Sequence, residues 1–423
     1  MFSRQRGAAL LILALIIGFV TAALLFNRFS VRNLELEREA KTTAALAEAK
    51  AALLGFAVSF GAEPGYTGHA FLPCTETQLT FNNEGSAEGN CGSTHVNSIG
   101  RLPWRSLKSP ALRDGEKECL WYAVSGSYKN SGSSAPKMLN ADSPGQFEIV
   151  TQDGTLLAGN TPENRAVGVI FSPGGITGAQ NRAPLQGTDS CPGNYNAANY
   201  LETLNGVNNA FVNSNPDRID RFILANKTGT FNDKLVFITQ DEVFGKLVAH
   251  PTFLPRMQVL TAKIANCLAA NYETMQPANL VLGDYRKDDD YVSAGTLARG
   301  RIPKSVTNCL SASELPLWKN WKDHFFYVRC ATSCTVNGGG SYDAIVFFAG
   351  KRLARQTRRA PPIEAVDTKS EIGNYLEGCN ASNFANGTSF QSQAGILNCA
   401  NEAEINDRLY CIAAGSPRTV APC

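Results

Sequence analysis

The sequence predicts an α+β protein: a long N-terminal membrane-spanning stalk helix, then two tandem heads, each a helix packed on an antiparallel sheet and stapled by disulfides. Three observations carry this. Ala8 to Phe26 holds no charge and no proline, and an alanine-rich amphipathic stretch follows it directly. Beyond residue 61, short apolar runs are separated by turn residues. A series of short motifs from the first half of the chain then recurs in order in the second.

The first sixty residues read as one helix. The run 8–26 matches the thickness of a bilayer's hydrocarbon core at roughly 1.5 Å of rise per residue. Arg4 and Arg6 precede it, which places the N-terminus on the cytoplasmic side. Residues 27–60 continue it as an amphipathic helix, with Glu37 and Lys41 spaced i,i+4. Leu46, Leu53, Leu54, Ala57 and Phe60 share one face there.

Gly61 begins a helix-breaking Gly-Ala-Glu-Pro-Gly, and the first head spans 61–240. Its strand candidates are Leu120–Val124, Phe147–Thr151, Ala166–Phe171, Arg221–Leu224 and Lys234–Ile238, and the turns between them favour antiparallel pairing. The second head, 241–423, opens with a short helix Asp241–His250, capped by Asp241. Leu254–Ala269 then carries the apolar stripe Met257, Leu260, Ile264, Cys267 and Leu268.

The second half repeats the first. Gly100-Arg-Leu-Pro103 recurs as Gly300-Arg-Ile-Pro303, and Trp121-Tyr122 as Phe326-Tyr327. Val169-Ile-Phe171 is matched with Val346-Phe-Phe348, Asn199-Tyr-Leu-Glu202 with Asn374-Tyr-Leu-Glu377, and Asn232-Asp-Lys-Leu235 with Asn406-Asp-Arg-Leu409. Divergent duplication accounts for the ordered series.

The leader 1–7 is basic and ends in Gly7, immediately before the apolar helix. It resembles the class III leader of type IV pilins and pseudopilins. That resemblance implies cleavage after Gly7 by a prepilin peptidase, N-methylation of Ala8, and packing against other pilins or pseudopilins through the N-terminal helix. The chain departs from the family pattern at three places: Ala8 replaces the usual Phe, Ile12 the usual Glu, and Phe29 the usual Pro. An unpaired carboxylate in an apolar bundle is costly, and the family's glutamate is thought to pair with the amine of a subunit already in place. A subunit lacking it suits the first-placed position at a filament tip, or one that never assembles.

With 423 residues and a net charge of +2, the chain shows no basic excess of the kind nucleic acid requires. Twelve cysteines outside the cytoplasm are expected as disulfides: Cys74, Cys91, Cys119, Cys191, Cys267, Cys309, Cys330, Cys334, Cys379, Cys399, Cys411 and Cys423. The close spacing of Cys74 and Cys91 suits a loop staple, and the remaining connectivity is open. Only four histidines occur, widely separated, with no HExxH, GxSxG or phosphate-binding loop, so no enzyme is expected. No metal or cofactor is expected either. Asp284, Asp288, Asp289 and Asp290 form the one calcium candidate, with a solvated acidic loop as the favoured reading because Arg286 and Lys287 lie among them. The basic run Lys351, Arg352, Arg355, Arg358 and Arg359 reads as an exposed edge kept soluble by charge, or as a contact for an anionic partner. Trp104, Trp121, Trp318 and Trp321 read as core or loop anchors.

The expectation is therefore a minor pilin or pseudopilin of a type IV pilus or secretion-like filament, near its tip, whose heads bind a surface ligand or partner. Before assembly it would sit as a single-pass protein of the inner membrane with its heads in the periplasm. The rival is a signal-anchored periplasmic binding protein that never joins a filament.

Overall fold

The computed structural model describes residues 5–59, 70–77, 84–130, 138–183, 190–282, 291, 297–360, 364, 366–392 and 405–423. Within the first helix, side chains are described for 14–18 and 32–59. Helix α1 is Gln5–Ser59, followed by β1 (Leu72–Pro73), β2 (Ser98–Arg101), β3 (Trp121–Val124), β4 (Lys129–Asn130), β5 (Phe147–Thr151), β6 (Leu156–Ala158), β7 (Ala166–Ser172), β8 (Thr203–Leu204), β9 (Val207–Asn208), β10 (Asp220–Leu224) and β11 (Lys234–Thr239). Helices α2 (Gln240–Ala249) and α3 (Phe253–Ala270) lead to β12 (Arg299–Arg301), α4 (Leu315–Trp321), β13 (Phe325–Val336), β14 (Gly339–Phe348), α5 (Gly378–Asn383), β15 (Ser389–Phe390), β16 (Arg408–Ala413) and β17 (Thr419–Pro422).

The architecture is α+β, but it corrects the expected stalk. Among the described residues no helix is long and apolar enough to cross a membrane, and the expected single-pass inner-membrane placement falls with the membrane-spanning stalk. The helix itself is continuous over 55 residues, and from Arg32 to Lys41 its side chains are exposed and densely charged. Among the described side chains burial starts at Thr42. Ala45, Leu46, Ala49, Leu53, Leu54 and Ala57 then recur every three or four residues and pack on the first sheet. Phe60 and the break at Gly61 lie outside the described residues.

Two sheets carry one register. In lobe 1, Gly100 pairs with Tyr122, Tyr122 with Ile170, and Ile170 with Val236, running β2–β3–β7–β11 antiparallel. In lobe 2, Gly300 pairs with Tyr327, Tyr327 with Val346, and Val346 with Tyr410, running β12–β13–β14–β16. Even the irregularity matches: the register slips between Ile238 and Thr239 against β7, and between Ile412 and Ala413 against β14. This register moves one sequence match by a residue, since Val169-Ile-Phe171 faces its neighbours as Ile345-Val-Phe347 does. The period-2 apolar pattern is the same in both halves of that motif, so sequence alone could not fix the register.

Both faces of each sheet are buried. Tyr122, Ile170 and Ile238, like Tyr327, Val346 and Ile412, face the helices in one core that joins both lobes through α1, α2 and α3. Trp121, Phe171 and Leu235 form a separate outer core in lobe 1, and Phe326, Phe347 and Leu409 do so in lobe 2. Gly100 and Gly300 occupy the edge where the carbonyls of Glu76 and Ala278 bridge across, and a Cβ at either position would overlap that oxygen.

Two details differ from expectation and one agrees with it. Pairing is not wholly antiparallel, because β10 runs parallel to β5, β4 to β1 and β15 to β13. Helix α2 is capped by Thr239, whose hydroxyl accepts from the Glu242 amide in a reciprocal box, so Asp241 lies inside the first turn. The stripe of α3 is buried as its spacing requires.

Candidate functional site

The recurring motifs meet in space, once in each lobe. In lobe 1 the guanidinium of Arg101 lies 5.4 Å from the ring centre of Tyr200, and that of Arg182 lies 4.8 Å from the same ring. In lobe 2 Arg301 and Arg358 flank Tyr375 at 4.5 and 4.3 Å. Arg182 donates from Nε to the Asn199 carbonyl and from Nη2 to Gln180 Oε1. Arg358 makes the same two bonds to Asn374 and Gln356.

From the glutamine a polar chain continues inward. Gln180 Nε2 donates to Glu202 Oε1, whose other oxygen accepts the amides of Asn232 and Asp233. Asp233 Oδ2 in turn accepts the Glu202 amide and Asn209 Nδ2. Lobe 2 repeats it with Gln356, Glu377, Asn406, Asp407 and Asn380. This is why Tyr-Leu-Glu and Asn-Asp recur: they are two ends of one buried lock. Burial first, and then the Glu202 charge, push the Asp233 carboxyl well above its usual range, and Asp407 is raised in the same way beside Glu377. Both shifts favour the protonated form of the aspartate over a second buried charge beside the glutamate.

Between the lobes lies a second, unrepeated cluster. His324 stands two residues before Phe326, where lobe 1 has Cys119 two residues before Trp121. His324 Nδ1 is 2.9 Å from Asp323 Oδ1, and its Nε2 faces Arg358 Nη1 at 3.1 Å. The arginine N–H can only donate, so Nε2 is the accepting nitrogen in that contact. Arg358 Nη1 also reaches Asp142 Oδ1 of lobe 1 at 3.3 Å, and Lys369 Nζ reaches Asp323 Oδ2 at 2.8 Å. Asn140 Nδ2 bridges the lobes to the Asn320 carbonyl and to Asp323. Burial opposes ionisation of Asp323, but Lys369 and His324 outweigh it and hold the carboxyl well below its usual range. Arg165–Glu364 and Arg359–Glu163 form a less buried rim at 2.6 and 2.8 Å.

A cavity of about 50 Å³ adjoins this cluster, lined among others by Asp142, Glu163, Gln240, Arg358 and Arg359. That is room for a few waters, not for a metabolite. Asp142, Asp323 and His324 are the one grouping of metal-binding side chains among the described residues. They do not suit a cation: Arg358 and Lys369 already balance the two carboxylates, and a divalent ion would add like charge to a closed pocket.

Ten of the twelve cysteines pair as Cys74–Cys91, Cys119–Cys191, Cys267–Cys309, Cys330–Cys334 and Cys411–Cys423. Cys379 is also bridged, while Cys399 lies outside the described residues. Disulfides point to an oxidising compartment. Arg4, the side chains of Arg6, Gly7 and Ala8, and the acidic group Asp284, Asp288, Asp289 and Asp290 also lie outside the described residues. Of the expected exposed basic run, Arg358 is instead 3% exposed inside the inter-lobe cluster and Arg359 is paired. The charge run hid this because its partners, Asp142 and Glu163, lie some two hundred residues away. Trp121, Trp318 and Trp321 are buried, and Trp104 is half-buried.

Compared with known protein families, with curated proteins and with solved structures, the chain matches none.

Proposed function

We propose that the chain is a pilin-like structural subunit of a filament outside the reducing cytoplasm, placed at or near its end, with the two lobes as its binding surface. The observation that carries this reading is the division of α1. Its last turns are buried in lobe 1, whereas residues 5–41 extend about 55 Å further. The described side chains there are exposed, including Leu15, Ile16 and Ile17 at 56, 54 and 55% and Leu34 and Leu36 at 50 and 56%. A rod with large exposed apolar groups is suited to burial against equivalent helices of neighbouring subunits. Two lobes locked by a shared core and an ion-pair cluster make a broad body, which fits the end of a helical filament better than its shaft. The matching registers and locks support descent of the two lobes from one duplicated unit.

The test is the N-terminal mass of the protein from cells with and without prepilin peptidase, together with its presence in sheared filaments. A chain beginning at methylated Ala8 only when the peptidase is present, and lost from filaments in Gly7→Ala, is the expected outcome. Peptidase-independent processing, or absence from the filament fraction, would leave a free-standing binding protein.

A further inference from the structure

The two sheets end differently on one side. In lobe 2 the outer edge of β16 is covered by β17, with Tyr410, Cys411, Ile412 and Ala413 paired antiparallel to Pro422, Ala421, Val420 and Thr419. The Cys423 amide bonds the Leu409 carbonyl, and Cys411–Cys423 ties the strand down. Leu409 and Cys411 therefore turn their backbone groups outward. Their equivalents in lobe 1 are Leu235 and Phe237 on β11.

Among the described residues no strand pairs with that edge of β11. Among the described residues, the one outward amide with a partner is at its end, where Thr239 N donates to Glu242 Oε2. Alongside the edge runs an open groove. Its floor is Lys234–Val236, one wall is Thr43, Leu46 and Ala47 of α1, and the other is the end of β5 and β10. Helix α1 stands to this groove as α3 stands to β17, and there Val420 packs into the core beside α3.

We infer that the outer edge of β11 is a strand-addition site, taking an extended segment of a partner protein that runs antiparallel to it. The lobe 2 edge defines the occupant's chemistry. It is a stretch of at least four residues with small or branched apolar side chains at alternate positions, as Val420 and Pro422 are, turned towards α1. Backbone bonds to Leu235 and Phe237 would hold it, and the apolar alternation would set its register. The inference does not depend on the chain entering a filament.

The full chain is titrated with a synthetic peptide copying Arg418–Cys423, serine replacing the cysteine, while amide exchange is followed by residue. The Leu235 and Phe237 amides are expected to exchange freely alone and to slow about tenfold or more with peptide. A peptide N-methylated at the bonding amides should not slow them, and Ala47→Arg, at an exposed position on the groove wall, should abolish the effect without altering the melting temperature. Amides already protected in the free protein, or unchanged at millimolar peptide, would overturn the inference. So would concentration-dependent dimerisation abolished by Ala47→Arg, which would assign the edge to a second copy.

Discussion

Lobe 1 and lobe 2 share a sheet register, an arginine–tyrosine–arginine stack and a carboxyl lock, yet they differ where each meets its surroundings. At the entry to β3, lobe 1 places Cys119 and closes on itself through Cys191, whereas at the entry to the equivalent β13 lobe 2 places His324 and turns towards lobe 1. The second stacked arginine shows the same division. Arg182 faces Glu118 of its own lobe, 28% exposed, and Arg358 faces the fully buried Asp142 of the other. What the lobes share holds each one together; what they do not share joins them to each other or leaves an edge open. Shared scaffold and divergent contact are thus separable by substitution.

The largest effect should come from the inter-lobe contact. Asp142→Ala leaves Arg358 buried without its carboxylate and is expected to cost about 3–5 kcal/mol in urea unfolding. Glu118→Ala, which removes the partly exposed counterpart in lobe 1, should cost about 1 kcal/mol or less. Equal losses would mean that the two arginines are held alike, and the proposed division between the lobes would fail.

A middle-sized effect is expected at the sealed edge. Cys411→Ser with Cys423→Ser opens a loop spanning 12 residues, worth about 2–3 kcal/mol on the chain-entropy account. If β17 then frays, amides on the outer side of β16 should exchange as fast as those of Leu235 and Phe237. Retained protection would show that strand pairing alone seals this edge, which would make the open edge of β11 a closer equivalent.

Local elements were legible in the sequence because periodicity reports burial directly, as in the stripe of α3 and the face Leu46, Leu53, Leu54 and Ala57. The repeated motifs were visible too, but not their purpose. Tyr200, Glu202 and Asp233 are linked by side-chain bonds that no spacing rule encodes, and His324 becomes notable only once Asp142 is brought to it across the fold. Within the basic run Lys351 and Arg355 are exposed as expected, and Arg358 departs for a related reason: charge density signals solvent unless distant partners are known, and Arg358 has such partners. The apolar run at the N-terminus was legible as a helix, and its expected role as a membrane span was the inference that the structure corrected.

The smallest effect tests the feature the lobes share most closely. Asp233 and Asp407 have folded pKa values raised above the ordinary carboxyl range, so the folded state binds a proton that the unfolded chain releases. Stability from each pair is then present at low pH and lost as pH rises from that ordinary range through the folded value. Asparagine keeps the oxygen that accepts from Glu202 or Glu377 and replaces the acid O–H with an N–H. Near pH 4, Asp233→Asn and Asp407→Asn should each change stability by less than about 1 kcal/mol. Above the raised pKa each variant should be more stable than the parent, because it no longer pays for a second buried charge. Unfolding midpoints measured from pH 4 to 9 should show both variants with a flatter profile and nearly equal shifts. A flat parent profile would mean that the pairs are not protonated, and unequal shifts would mean that the locks carry different loads in the two lobes, as the extra bond from Thr177 Oγ1 to Glu202 in lobe 1 would allow.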